Sequence, residues 1–411
     1  MDNTFCISRD DFIKKIRPFI GKNIVKILSG IRRCGKSVML RLIQQELLVN
    51  GVENANILAM NFDTFEDNTS QSPEALYAII KQKAQAAKGK VYVFLDEIQV
   101  LPGWEKLVNS CFTELNADIY VSGSNSQMLS PEYATYLGGR YVMFTVYPFS
   151  FKEAVSAFKL YGKNLAPKEA FAHYLVYGGM PFIYQLNFDD FSIRQYLRDI
   201  ADSILLKDIT ARYNIRDVEL LKRIILFLFS NIGNMFSTVS IQNYLKRDKR
   251  NLSWETIHNY IDHCKTACLL LPVKQESISG KQLLKAAEKI YITDHGLREA
   301  IYGNNRNDIS QVLENIVYLE LLRNDYNVTV GKAGLNEIDF IARKNNETVY
   351  IQVAYLLASP ETIEREFSVY ARVTDNFPKY VLSLDEFDMS RNGIKHINIV
   401  DFLTSGQGVY I

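Results

Sequence analysis

The sequence predicts an α/β protein: a parallel sheet with helices on both faces, then a helical stretch, a helix-rich segment with a hairpin, and a small α/β end. Two observations carry this. Five short runs in the first 150 residues are almost continuously apolar and alternate with helical spacings, the pattern of strands buried on both faces. After residue 150 the spacing turns helical, and strand-like runs return only from residue 269 onward.

Taken in order, residues 24–28 form an apolar run that ends in Ser29-Gly30, and 38–49 follow with helical spacing. A strand over 57–60 precedes a helix over 75–87, and a strand over 91–95 precedes a helix over 104–115. Strands over 119–121 and 141–146 complete the sheet. Residues 151–213 read as helical, with one break at Tyr177-Gly178-Gly179-Met180-Pro181. Helices follow over 218–232, after Ser237 through Ile241 and Leu245, and from Ser253-Trp254-Glu255-Thr256, where a capping-box spacing ends in Thr rather than Glu or Gln. Strand-like runs at 269–273 and 289–293 come next, and a Gly- and Asn-rich loop at 303–307 marks a boundary. A helix over 312–322 and strands over 328–330, 338–342 and 348–353 lie beyond it. The expected segments are 1–150, 151–215, 216–302 and 303–411.

Composition narrows the function classes. With 411 residues, 47 basic and 46 acidic side chains, a net charge of +1 and 47% hydrophobic residues, the chain is ordinary globular material of two to four domains. Disorder, collagen-like structure and coiled-coil rods are excluded, and any nucleic-acid surface must be a local patch. Five scattered cysteines (Cys6, Cys34, Cys111, Cys264, Cys268) make no disulfide framework and suit a reducing compartment. The first residues lack an apolar run flanked by basic residues, and no stretch of about 18 apolar residues exists, so a soluble, cytoplasmic protein without a membrane span is expected.

The chemistry is concentrated after the first and third strands. Gly30-Ile31-Arg32-Arg33-Cys34-Gly35-Lys36-Ser37 matches G-x-x-x-x-G-K-[ST] between a strand and a helix, where a phosphate-binding loop must lie. Glycines let backbone N–H groups turn toward phosphates, and the helix directs its positive end at them. Lys36 would reach the β and γ phosphates of ATP, and the Ser37 hydroxyl would ligate Mg²⁺. The third strand ends in Asp96-Glu97. Two carboxylates there are costly unless a cation uses them, so Asp96 is expected to bind Mg²⁺, directly or through water, and Glu97 to polarise the attacking water. Arg32 and Arg33 are expected to point outward.

With these two motifs the sequence resembles the AAA+ ATPases. The resemblance implies a polar sensor at the end of the fourth strand, where Ser122-Gly123-Ser124-Asn125-Ser126 stands, and Ser124 and Asn125 are both candidates. It also implies an arginine on the γ-phosphate. Arg140, in Leu137-Gly138-Gly139-Arg140, resembles that position, acting in cis or from a neighbouring protomer of a homo-oligomer.

Residues 216–300 carry 13 basic and 9 acidic side chains, net +4. Their order resembles a winged helix-turn-helix, which implies double-stranded DNA as a partner, with Lys246-Arg247-Asp248-Lys249-Arg250 placed for phosphates. The third helix is not basic, carrying Glu255 and Asp262 against Lys265. His258, His263, Cys264 and Cys268 share that stretch, but their spacing favours buried thiols over zinc. The end of the chain resembles the restriction-endonuclease-like fold. That likeness implies Glu314, Asp339 and Gln352 at metal positions and Ala354 where a catalytic lysine belongs, so cleavage is not expected. The whole succession resembles a bacterial and archaeal family of AAA+ ATPases that brings no known substrate. Three readings follow: an ATP-driven switch or motor on DNA, an ATP-dependent interaction scaffold, and an ATP-gated nuclease.

Overall fold

The computed structural model describes residues 7–64, 72–124, 137–246, 253–278, 282–303, 308–334 and 336–405. It divides into two compact units, Met1–Pro148 with Thr266–Cys268, and Phe149–Lys265 with Leu269–Ile411.

In the first unit a short helix α1 (Asp10–Ile16) leads to β1 (Val25–Ser29) and α2 (Lys36–Val49). Then come β2 (Ile57–Asn61), α3 (Pro73–Ala86), β3 (Val91–Asp96), α4 (Trp104–Glu114), β4 (Ala117–Gly123) and β5 (Tyr141–Thr145). The order across the sheet is β2-β3-β4-β1-β5, and every pairing is parallel. Each residue of β1 and β4 is buried, whereas the edge strands β2 and β5 are mostly half-buried, as burial on both faces requires. Ile27, Val93, Val121, Trp104, Leu107 and Ile80 pack one face of the core. The Ser72 hydroxyl caps α3 by accepting from Ala75 N at 3.3 Å, and Pro73 stands at the first helical position, where its missing N–H costs nothing. Because all five strands run the same way, the carboxyl ends of β1, β3 and β4 meet at one edge of the sheet.

The second unit opens with α5 (Phe151–Leu160), α6 (Pro167–Tyr177) and α7 (Asp190–Ser203), the last continued by a π-helical stretch, Ile204–Ala211. A capping box starts α5: Ser150 Oγ accepts from Glu153 N, and Glu153 Oε2 accepts from Ser150 N. Then follow α8 (Val218–Ser230), β6 (Met235–Phe236), α9 (Thr238–Lys246), α10 (Trp254–Thr266), β7 (Leu270–Ser277) and β8 (Gln282–Ile292). The remainder is α11 (His295–Tyr302), α12 (Ile309–Arg323), β9 (Asn327–Ala333), β10 (Asn336–Lys344), β11 (Glu347–Val353), α13 (Pro360–Ser368), β12 (Lys379–Ser383), β13 (Ile394–Asn398) and α14 (Ile399–Ser405).

Among the described residues, the eight strands of this unit form one sheet, β13-β12-β11-β10-β9-β7-β8-β6. The hairpin β7–β8 is antiparallel, and β7 also pairs in parallel with β9 through Gln275↔Val330, Glu276↔Gly331 and Ser277↔Lys332. The hairpin strands are therefore longer than the apolar runs at 269–273 and 289–293, and they join the sheet of the C-terminal stretch. Polar residues disguised the extension: Gln275 and Glu276 are buried, and Glu276 is paired with Arg343 at 2.6 Å.

The break at Tyr177–Pro181 has a steric cause. A Cβ on Gly179 would stand 2.3 Å from Phe149 O, and one on Gly296 would stand 2.0 Å from Tyr177 O. The buried Asp294 carboxylate fastens this crossing, accepting from Gly179 N at 2.7 Å and from Leu297 N at 3.2 Å. Burial pushes its pKa up to about 6 from 3.8, so the folded unit favours the neutral form. The stability this group contributes is full below about pH 4 and is lost as pH rises through about 6. Melting temperature of the parental protein is expected to fall across that window relative to Asp294→Ala; parallel pH curves for the two proteins would refute the assignment.

Candidate functional site

The edge where β1, β3 and β4 end collects the sequence motifs. After Ser29 the chain turns through Gly30 to Gly35 and opens α2 at Lys36. A Cβ at Gly30 would lie 2.2 Å from Val146 O and 2.9 Å from Cys34 Sγ, so no other residue fits. Gly35 caps α2 at φ 105°, a conformation that favours glycine. Arg9, which the sequence reading passed over, pins this loop: its guanidinium donates to Cys34 O at 3.4 Å and to Tyr147 O at 2.8 Å. A lone arginine ahead of a short helix carries no motif signal.

Lys36 is buried, and its ammonium donates to Gly30 O at 3.1 Å and Ile31 O at 3.3 Å, with Glu97 Oε1 3.5 Å away. Burial acts against its charge, but the neighbouring Cys34 and Glu97 outweigh this and hold the pKa above its ordinary value. The Ser37 hydroxyl is exposed at the start of α2. A buried ammonium folded onto loop carbonyls, a helix amino end and an exposed hydroxyl together fit the phosphates of a nucleotide.

The carboxylates stand beside this loop. Ser122 Oγ donates to Asp96 Oδ1 and accepts from Glu97 N at 3.1 Å, so one hydroxyl fixes both. Glu97 takes the left-handed conformation (φ 54°, ψ 40°), a strain of the kind that clusters at functional sites. Burial alone would push its carboxyl up. The Lys36 ammonium, the Gln99 amide and the Arg32 charge outweigh burial and keep the pKa below its ordinary value. Ser124 is buried at the end of β4, and Asn125 lies outside the described residues. Ser37 and Asp96 supply the hard oxygens that a Mg²⁺ ion would use here.

Two expectations need correction. Arg33 is exposed as expected, but Arg32 is half-buried and is one of the charges that lower Glu97. Arg140 is not at this edge. It precedes Tyr141, which pairs with Val25 at the start of β1, whereas the phosphate loop follows the end of β1. A five-residue strand spans about 16 Å, so Arg140 does not reach the γ-phosphate of its own chain. Its guanidinium lies over the Phe112 ring at 5.6 Å. Arg140→Ala is expected to keep ATP turnover within about twofold, since a cation–π contact at an exposed site is worth about 0.5–1 kcal/mol to the fold. Loss of activity that returns on mixing with Lys36→Ala would instead place Arg140 on a neighbouring protomer's phosphate.

In the second unit, Glu314 and Asp339 do come together, but around an ammonium. Lys289 of β8 lies 2.8 Å from Glu314, 2.7 Å from Glu337 and 3.6 Å from Asp339, and it is buried. Tyr291 Oη donates to Glu314 as well. Gln352 turns its amide elsewhere, accepting from Asp339 N at 3.2 Å and donating to Glu366 at 2.9 Å. Ala354 is buried, its N–H bonded to Leu382 O. Among the described residues no group of three or more His, Cys, Asp or Glu is arranged to hold a metal ion.

The helix α10 turns Trp254, Glu255, His258, Asn259 and Asp262 outward, and Asp262 pairs with the half-buried Lys265 at 3.0 Å. Lys246 ends α9, and the basic residues Arg247, Lys249 and Arg250 lie outside the described residues. His263 stacks on Tyr213 with centroids 3.6 Å apart, and burial pushes the Cys264 thiol up to about 12. Among the described residues no helix is long and apolar enough to cross a membrane.

Residues 22–155 match the family described as AAA domain, and residues 168–308 match a domain of unknown function (DUF8612). An uncharacterised protein of Haemophilus influenzae is 37% identical over 97% of this chain and 98% of its own length. An uncharacterised protein of Methanocaldococcus jannaschii, MJ1544, is 27% identical over 96% of this chain and 88% of its own. Among solved structures, the Aeropyrum pernix ORC1 protein in complex with DNA matches at 13% identity and a TM-score of 0.34, over 71% of this chain and 91% of that one. With identity at that level along nearly its whole length, the chain carries an AAA domain and belongs to the same family as the Haemophilus influenzae protein.

Proposed function

We propose that the protein is an ATP-driven switch or motor that binds and hydrolyses ATP with Mg²⁺ and engages duplex DNA through α8 to β8. The observation that carries the nucleotide part is the convergence of Lys36, Ser37, Asp96 and Glu97 on one sheet edge, with Lys36 only 3.5 Å from Glu97. In this reading Lys36 offsets phosphate charge, Ser37 and Asp96 hold the cation, and ionised Glu97 accepts a proton from water. The cation, when bound, supplies charge neutralisation at the phosphates. Lys36→Ala is expected to weaken ATP binding ten- to a hundredfold, the worth of about 1.5–3 kcal/mol for hydrogen bonds to charged groups. Unchanged affinity in fluorescent-nucleotide titration would sink the role of Lys36.

DNA contact is proposed for residues 246–250 rather than for α10. The outward face of α10 carries Glu255, and its Asp262 is paired with Lys265 at 3.0 Å, so the helix offers phosphates no net positive charge. Replacing Lys246, Arg247, Lys249 and Arg250 by Ala should weaken binding to all duplexes alike and flatten its salt dependence. If affinity and salt slope stay as they were, the acidic α10 face favours a second reading, an ATP-dependent scaffold for protein partners.

A further inference from the structure

We propose that Gln99 is the positioning residue for Glu97, holding its carboxylate beside the nucleotide and offering an acceptor to the same water. The inference rests on the ATP-hydrolysing reading above. Gln99 lies in the single 3₁₀ turn Ile98–Val100 that follows β3, two residues beyond Glu97. Its amide nitrogen donates to Glu97 Oε2 at 2.5 Å and approaches Ser124 Oγ at 3.5 Å. The other carboxylate oxygen, Oε1, faces Lys36. Glu97 is thus held from both sides, by an ammonium that would also meet phosphate and by an amide that would not.

The orientation of the Gln99 amide follows from charge. Turning it over would set its carbonyl oxygen against a carboxylate, two acceptors with no proton between them. In the favoured orientation both amide hydrogens are directed at Glu97 and Ser124, which leaves Oε1. That oxygen is buried and has no hydrogen-bond partner among the described residues. A buried acceptor without a donor is costly, and such groups in native proteins mark a missing water or ligand. A water has two hydrogens. One bonded to Glu97 and one to Gln99 Oε1 would fix its orientation, so that Glu97 takes a proton while Gln99 keeps the other bond in place. The strained backbone of Glu97 fits this design, because the Ser122 hydroxyl fixes its N–H at 3.1 Å and Gln99 fixes its other end.

The test compares the parental protein with Gln99→Met and Gln99→Glu in steady-state ATP turnover, fluorescent-nucleotide affinity and melting temperature. Methionine keeps the length and packing of glutamine without a donor or acceptor. The expected result for Gln99→Met is a kcat lower by about ten- to a hundredfold with nucleotide affinity unchanged. Gln99→Glu keeps an oxygen at that place but sets an acceptor against Glu97, so its kcat should fall at least as far, again with affinity unchanged. A merely structural residue would lower affinity and melting temperature together with kcat. Parental kcat in Gln99→Met would overturn the role of Gln99 while leaving the ATPase reading intact. Absence of turnover in the parental protein would overturn both. Should Gln99→Met fail to bind nucleotide, Gln99→Glu decides, and turnover at the parental rate there would overturn the role.

Discussion

Glu97→Gln is expected to bind ATP at least as tightly as the parental protein and to lose turnover by about a hundred- to ten-thousandfold. The substitution keeps the side chain's length and leaves the left-handed backbone and the bond from Glu97 N to Ser122 in place. Only the proton acceptor is removed. Binding should not suffer, because Glu97 Oε1 faces Lys36 in this structure, and an uncharged amide there competes less with phosphate for the ammonium. Phosphate release measured beside nucleotide binding separates the two effects. Turnover at the parental rate would show that another group activates water. Weaker binding with the same turnover would show that Glu97 serves the ground state instead.

The first sheet was legible because parallel strands buried on both faces must be apolar throughout, as Val25–Ser29 and Val91–Asp96 nearly are. The phosphate loop was legible because its glycines answer a steric demand, visible at Gly30 against Val146 O. Arg140 lies away from its own chain's phosphate loop for a geometrical reason. Neighbours in sequence, the end of β4 and the start of β5, sit at opposite edges when both strands run the same way, and sequence spacing does not express that. The hairpin β7–β8 was cut short because Gln275 and Glu276 read as solvent-facing, although burial and the Arg343 partner make them part of the sheet. Gln99 was silent because a glutamine after an acidic pair has many uses. Its role appears only with the distances to Glu97 and Ser124. Lys289 was invisible because its acidic partners lie 25 residues or more along the chain, beyond any motif.

That lysine gives the other large expectation. Lys289→Met should destabilise the second unit by about 3–5 kcal/mol, the cost of breaking a buried ion pair by removing one partner. Three carboxyl groups converge on the ammonium. Burial works against its charge, and Glu314, Asp339 and Glu337 together outweigh burial and raise its pKa. Asp339 goes the other way: burial, and then the Glu314 charge, push it well above its ordinary value, and it stands farther from the ammonium than Glu314 and Glu337 do. A raised lysine contributes its full stability below the ordinary value of 10.5 and loses it only as pH rises through the folded value, so the lysine's own contribution is fully present at neutral pH. Removing the ammonium leaves Glu314 buried with Tyr291 as its donor, whereas Glu337 keeps Gln275 as a donor at 3.4 Å. Denaturant unfolding of Lys289→Met, Glu314→Gln and the double variant forms a cycle in which the pair's coupling appears directly. The double variant should recover much of the loss, because it no longer buries an unpaired charge. A loss below about 1 kcal/mol for Lys289→Met, within the range of exposed ion pairs, would mean that water reaches the cluster and that its carboxylates are not held by this ammonium.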